Sequence, residues 1–261
     1  GTSRATTGLT WLDRAGAVAG TVGGPASYLN LALAPDDRHV AVSVAAGTEE
    51  GRAIWILDVQ RGGMSRLTFD AIDDTAPIWS PDGSHVAFHS VRTGESSLRQ
   101  TLVSGTAKDE LLVAGSQLVP TDWSRDGRFI IYAQTGSRSD LWVLPLIGDR
   151  KPFALVQTPF SERNGAFSPD GRWIAYESNE TGQPQVYVRP FPPTDRKHLV
   201  SIDGGIQPTW SGDGKALFFL APDSRPQIGM MFHTAFDSIA AGVLLGELMR
   251  VPDTRAKLEK L

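Results

Sequence analysis

Several groupings in this 261-residue chain have the residue types for chemistry. His85 and His89 stand four apart, the separation that puts two imidazoles on one face of a helix and lets them hold zinc. Along a strand the same offset separates them by about 13 Å. The run His85-Val86-Ala87-Phe88-His89 continues a strand pattern, and no Glu follows His85, so metal binding is not expected there. Asp70, Asp73 and Asp74 lie together in FDAIDDTAP, but the glycine and distal glutamate of a calcium loop are missing, which leaves a solvated loop as the expectation. A serine nucleophile calls for Gly-x-Ser-x-Gly between strand and helix. Gly1-Thr2-Ser3-Arg4-Ala5, Gly63-Met64-Ser65 and Gly94-Glu95-Ser96 match it only in part. There is no cysteine, which excludes disulfides, thiolate metal sites and cysteine nucleophiles. A glycine-rich phosphate loop, HRD and DFG are missing from the sequence, so kinase chemistry would belong to residues outside it. The expectation is a chain that is not an enzyme, with no catalytic residue, metal or cofactor.

The chain's charge narrows the partners. A formal net charge of −4 with dispersed Lys and Arg argues against nucleic acid, whose phosphates call for clustered basic residues. The one long apolar stretch, residues 228–251, contains His233, Asp237, Glu247 and Arg250, which would be costly in a bilayer; no membrane span is expected.

The elements that would position any site follow from an internal repeat. ALAPDDRHVAVSV from Ala32, IWSPDGSHVAFHS from Ile78, DWSRDGRFIIYAQ from Asp122, AFSPDGRWIAYES from Ala166 and TWSGDGKALFFLA from Thr209 are one unit written five times. Its aspartate falls at Asp36, Asp82, Asp126, Asp170 and Asp213, at spacings of 46, 44, 44 and 43, the length of a four-stranded propeller blade. Each unit reads as a hairpin: an apolar strand, a tight turn, then an alternating strand. Gly83, Gly127, Gly171 and Gly214 suit a positive φ in that turn, and Asp37 in the first copy tolerates it better than most residues. Third strands are expected from Ala53, Leu98, Leu141 and Val186, and fourth strands from Ser65, Asp109, Lys151 and Lys197. Trp79, Trp123 and Trp210 precede equivalent turns, and Trp55 and Trp142 recur in third strands, so all five are expected to pack between blades and not to stack on ligands. The fold class is therefore all-β, a β-propeller of four-stranded antiparallel blades. GLTWLDRAGAVAGTVG reads as third and fourth strands, and the last repeat as first and second. These two ends could close a five-bladed ring, or the chain could be part of a six-bladed one.

At WSPDG and FSPDGRWIAYES the chain resembles TolB-like propeller repeats. Residues 141–192, LWVLPLIGDRKPFALVQTPFSERNGAFSPDGRWIAYESNETGQPQVYVRPFP, resemble the propeller found C-terminal to bacterial serine/threonine protein kinases. The resemblance spans residues 8–223. It implies six blades and an extracytoplasmic (periplasmic) location, and in the kinase context a propeller that follows a transmembrane segment. From Asp223 the sequence departs from the family, and residues 224–261 read as a helical C-terminal extension, with Met231, Ala235, Ile239 and Val243 at helical spacing and a boundary at Pro252. The helix could cap the propeller, bind a partner, or be a fusion.

By analogy with propellers, the loops that join one blade to the next share a face with the loops between second and third strands, opposite the SPDG turns. This places Tyr28, Asn30, Asp73, Asp74, Gln117, Asp122, Glu162, Arg163, Asn164 and Gln207 as candidate ligand- or partner-binding residues; the alternative for each is an ordinary exposed loop position. The function expected is a non-catalytic module that binds a protein, a peptide or a small envelope ligand, as sensor or scaffold of a larger bacterial protein, which the resemblance implies to be a serine/threonine kinase. The alternative is the propeller of a prolyl-oligopeptidase-type peptidase whose hydrolase domain lies elsewhere.

Overall fold

The computed structural model describes residues 7–12, 17–45, 51–69, 71–105, 108–221 and 226–230. Among them are 21 strands and no helix long and apolar enough to cross a membrane. Strands β1 (Thr7–Leu12) and β2 (Val18–Ala26) pair as an antiparallel hairpin. The first full blade is β3 (Tyr28–Leu33), β4 (His39–Ala45), β5 (Arg52–Asp58) and β6 (Met64–Arg66), and the second is β7 (Asp73–Trp79), β8 (His85–Arg92), β9 (Glu95–Leu102) and β10 (Glu110–Ala114). One parallel bridge, Arg52 to Asp73, joins them into an eight-stranded sheet. The third blade runs β11 (Leu118–Trp123), β12 (Phe129–Thr135), β13 (Ser139–Pro145) and β14 (Phe153–Val156). The fourth runs β15 (Glu162–Phe167), β16 (Trp173–Ser178), β17 (Gln185–Pro190) and β18 (His198–Leu199). The last sheet is β19 (Ile206–Trp210), β20 (Ala216–Leu220) and β21 (Pro226–Met230).

The described residues up to Ser137, with Trp142–Phe153, form one compact unit; Arg138–Leu141 and the described residues from Ala154 form another. In the first unit Ala41, Ile54, Val86 and Phe88 are fully buried in one cluster, and Ala87, Leu98, Ile130 and Leu144 form the next. In the second unit Ala175, Val186, Val188 and Leu217 do the same. Consecutive residues of β16 such as Ile174, Ala175 and Tyr176 are all buried, because a blade's middle strands have protein on both faces.

The turn chemistry is as the repeat implies. Gly83, Gly127, Gly171 and Gly214 have φ near +70°, and Asp37 has φ of 55°. In the fourth blade Asp170 accepts the Arg172 amide at 3.1 Å and the Ser168 hydroxyl at 2.6 Å, while Ser168 Oγ accepts the Trp173 amide at 2.9 Å. The same three bonds recur around Ser80–Asp82, Ser124–Asp126 and Ser211–Asp213. Trp79 donates its indole N–H to Ala32 O at 2.9 Å and Trp210 to Ala166 O at 3.1 Å, so each pins its first strand to that of the blade before. Trp123 instead donates to Gly127 O of its own turn, at 3.3 Å. Trp55 and Trp142 pack against the apolar clusters, as expected of third-strand positions.

One boundary moves. Pro226–Met230 pairs with β20 from Ala216 to Leu220, so the strand pattern runs past Asp223 and takes in residues 226–230 of the extension expected to be helical. Without a Gly/Asp turn or strong alternation, five residues could not be told from the head of a helix; pairing to β20 decides them. The rest of the helical expectation, residues 224–225 and 231–261, lies outside the described residues, as does Asp70.

Candidate recognition surface

Each first strand breaks register near its start. The bulges fall between Tyr28 and Asn30, Thr75 and Ile78, Pro120 and Asp122, Arg163 and Ala166, and Ile206 and Thr209. Such bulges add a residue, re-aim side chains and raise local twist. In three of them a non-glycine residue holds a left-handed backbone: Ala76 (φ 52°), Asn164 (φ 50°) and Gln207 (φ 54°). That conformation is costly for L-residues unless its surroundings hold it.

For Ala76 and Gln207 the preceding blade does the holding, and for Asn164 its own second strand. The Ala76 amide donates to Asn30 Oδ1 at 3.3 Å, and Ser43 Oγ donates to the same oxygen at 3.2 Å. The Gln207 amide donates to Glu177 Oε2 at 3.1 Å, while Asn164 Nδ2 donates to Glu177 Oε1 at 2.9 Å. The Gln117 amide, in a turn residue with φ of 56°, donates to Ser96 Oγ at 3.3 Å; that hydroxyl also meets His89 Nε2 at 2.9 Å, and His89 Nδ1 lies 3.3 Å from Thr75 Oγ1. Asn30, Ser96 and Glu177 thus serve one purpose in three places.

The candidate residues consequently separate. Asn164 and Gln207 are brought together by Glu177, and Arg163 beside them is exposed, with Nε 3.1 Å from Ser139 Oγ. Glu162 turns inward, completely buried: its Oε1 accepts Thr158 Oγ1 at 2.6 Å and Ser178 Oγ at 3.2 Å, and its Oε2 has no partner. Asp74 occupies the matching place in the second blade, also completely buried; Ser90 and Thr68 are close enough to ease its charge, yet neither carboxylate oxygen is hydrogen-bonded. Neither acid is available to a partner, which corrects their reading as loop residues: the bulge that follows each one fixes which face of the strand it takes. Asp73 is held by the Arg52 guanidinium in a two-pronged ion pair. Gln117 is exposed and accepts Thr135 Oγ1 on its Oε1 at 2.9 Å. Tyr28 donates to Gly24 O at 2.9 Å and packs in the apolar cluster around Val42 and Leu57. Asp122 sits next to Trp123, opposite Ile131, on the turn side of the bulge that follows Pro120.

Burial sets the electrostatics. It pushes the carboxyls of Asp74, Glu162 and Glu177 above the usual carboxylate range, against the hydrogen bonds that Glu162 and Glu177 receive and the nearby Ser90 and Thr68 hydroxyls at Asp74, and, for Glu162, with the charges of Asp140 and Glu180 adding to the rise. Burial depresses His89, an effect that Asp73 opposes and Arg52 reinforces. Glu177, only 8% exposed, was not singled out from the sequence. Its signal was there: Ser43, His89 and Glu177 are the polar interruptions at the same place in three second strands.

The arrangement can present Arg163, Asn164 and Gln207 in fixed positions at the end of the blades opposite the SPDG turns. Comparison with known proteins agrees with the architecture. Residues 16–143 match the family model of the TolB beta propeller domain. No curated protein matches the chain in sequence. The structure is similar to that of a putative TolB from Agrobacterium tumefaciens, with a TM-score of 0.72 and 19% identity over 88% of this chain and 86% of that one. It is also similar to TolB from Acinetobacter baumannii, with a TM-score of 0.66 and 19% identity over 88% of this chain and 62% of that one. Part of a structure from a study of two prolyl endopeptidases matches too, with a TM-score of 0.58 and 15% identity, covering 79% of this chain and 34% of that one. The chain has the fold of a β-propeller, and residues 16–143 resemble the TolB beta propeller domain.

Proposed function

We propose that this propeller is a non-catalytic binding module that recognises a protein or peptide partner through the bulge ends of its blades. The observation that carries the reading is the bracket of Glu177 on Asn164 and on the Gln207 amide, which holds two left-handed residues and leaves Arg163 and Gln207 exposed beside it. Polar side chains held on a rigid scaffold bind with little ordering cost. On this reading the module serves as the docking or sensor part of a larger extracytoplasmic protein. The resemblance of residues 141–192 to kinase-associated propellers supports a serine/threonine kinase as that protein.

The test places p-benzoylphenylalanine at Arg163 or Gln207, with exposed Arg196, in the loop between β17 and β18, as control. The same polypeptide should be cross-linked from the first two positions and not from the third. After identification, its affinity for the purified chain should fall about tenfold with Arg163→Ala, as for a contributing interface residue. Equal capture from all three positions, or substrate turnover by the purified chain that a substitution at Arg163 or Gln207 abolishes, would overturn the proposal.

A further inference from the structure

A second surface lies at the other end of the blades. Between the first and second SPDG-type turns is an open groove of about 800 Å³. Its floor is apolar, with Ile56 and Trp79 nearly buried and Met64 beside them. Its rim carries Asp36, Asp58 and Asp82. All three carboxylates are fixed by turn amides: Asp36 by Arg38 and His39, Asp58 by Gln60 and Arg61, Asp82 by Ser84. Those bonds hold Asp36 and Asp58 below the usual carboxylate range, and the Ser80 hydroxyl, with the Ser84 amide and hydroxyl, holds Asp82 at about 2, so the rim stays ionised at neutral pH. Two basic groups face them. His39 Nδ1 lies 2.6 Å from Asp36 Oδ2, whereas Arg61 extends into solvent, its side chain 82% exposed and its Nε 3.9 Å from Asp58 Oδ2.

We propose that this groove takes an arginine side chain of a partner polypeptide, its methylenes on Trp79 and Ile56 and its guanidinium among the three aspartates. Charge complementarity and shape argue for that occupant. Three ionised carboxylates stand around a floor that suits an apolar stem, and the chain's own Arg61 already reaches toward Asp58 as a loosely held stand-in. A neighbouring groove is an internal contrast. Between the second and third turns, Trp123 lines a smaller space of about 370 Å³ with Asp82 and Asp126, where Arg125 and His85 are also present. With two carboxylates facing Arg125, it has less negative charge to offer.

The experiment titrates the intact chain with Nα-acetyl-arginine amide and, separately, with its neutral citrulline counterpart, following backbone amide resonances at low salt. The Gly63 and Gly83 amides, at the groove, should shift and saturate with the arginine probe, about tenfold more weakly with citrulline, and Gly127 should stay in place. Asp58→Asn should weaken the response several-fold, added salt should weaken it, and Arg61→Ala, which removes the competing cation and leaves the turn amides intact, should strengthen it. Equal binding of citrulline, no shift at Gly63 and Gly83, or a weaker response in Arg61→Ala would each overturn the proposal. The groove and the bulge-end surface share no residue, so failure of one leaves the other standing.

Discussion

Glu177→Ala tests the bracket that preorganises the bulge-end surface. The substitution removes both acceptor oxygens at once, leaving Asn164 Nδ2 and the Gln207 amide without the partners they hold at 2.9 and 3.1 Å. A hydrogen bond to a charged group contributes about 1.5–3 kcal/mol. Two offsets apply: Gln207 is exposed, so water replaces part of its bond, and burying the Glu177 carboxylate is itself unfavourable, as its raised pKa records. The expected loss is about 2–4 kcal/mol in urea unfolding, with the m-value unchanged. Glu177→Gln is the informative companion. Asn164 can turn its carboxamide so that its oxygen accepts from the new Nε2, while the new Oε1 keeps the Gln207 amide, so this variant should lose less than about 1 kcal/mol. The pH dependence has a definite sign. A carboxyl whose folded pKa is raised contributes stability that is present below the unfolded value, about 4.3 for Glu, and is lost as pH rises through the folded one. Glu177→Gln should therefore gain on the parent chain between pH 4 and neutrality. Equal losses in the Ala and Gln variants would refute the bracket, as would a loss below about 1 kcal/mol in the Ala variant.

Three further outcomes follow from the packing and turns. Asp170 is held at about 2, so its contribution is present above the unfolded value of about 3.9 and lost as pH falls through the folded one. Asp170→Asn should cost about 1 kcal/mol at pH 7, after allowance for solvent screening, and only a small part of that at pH 2, read from thermal midpoints across pH. In Gly205→Ala the new methyl would lie 2.9 Å from Phe219 Cδ2 and 3.0 Å from Val186 Cγ2, so overpacking should cost about 1–3 kcal/mol in chemical denaturation. Trp210→Phe removes the indole bond to Ala166 O and should lower stability by about 1 kcal/mol or more; a change within error would show that the bond does not pin the two strands.

Some residues of this chain answer to local rules and others only to tertiary contacts. The aspartates from Asp36 to Asp213 announced the blades because a tight turn needs Asp and Gly at set offsets, and those demands act within five residues. Trp79 and Trp210 were legible as packing residues because they recur in phase with the turns, although only the structure shows that each donates to the preceding blade. Pro226–Met230 carried no local signal, and its strand exists because β20 offers it a free edge.

The amino-acid sequence by itself determined the repeat, the hairpin turns and the all-β class, since all three follow from period, side-chain alternation and turn stereochemistry. Tertiary structure alone decided which polar residues face a partner. A bulge adds one residue to a strand whose side chains alternate with period two, so it changes the face each neighbour takes. Asp74 and Glu162 go inward, Arg163 stays outside, and Glu177, a polar interruption in its strand, becomes the acceptor that holds Asn164 and Gln207 in place.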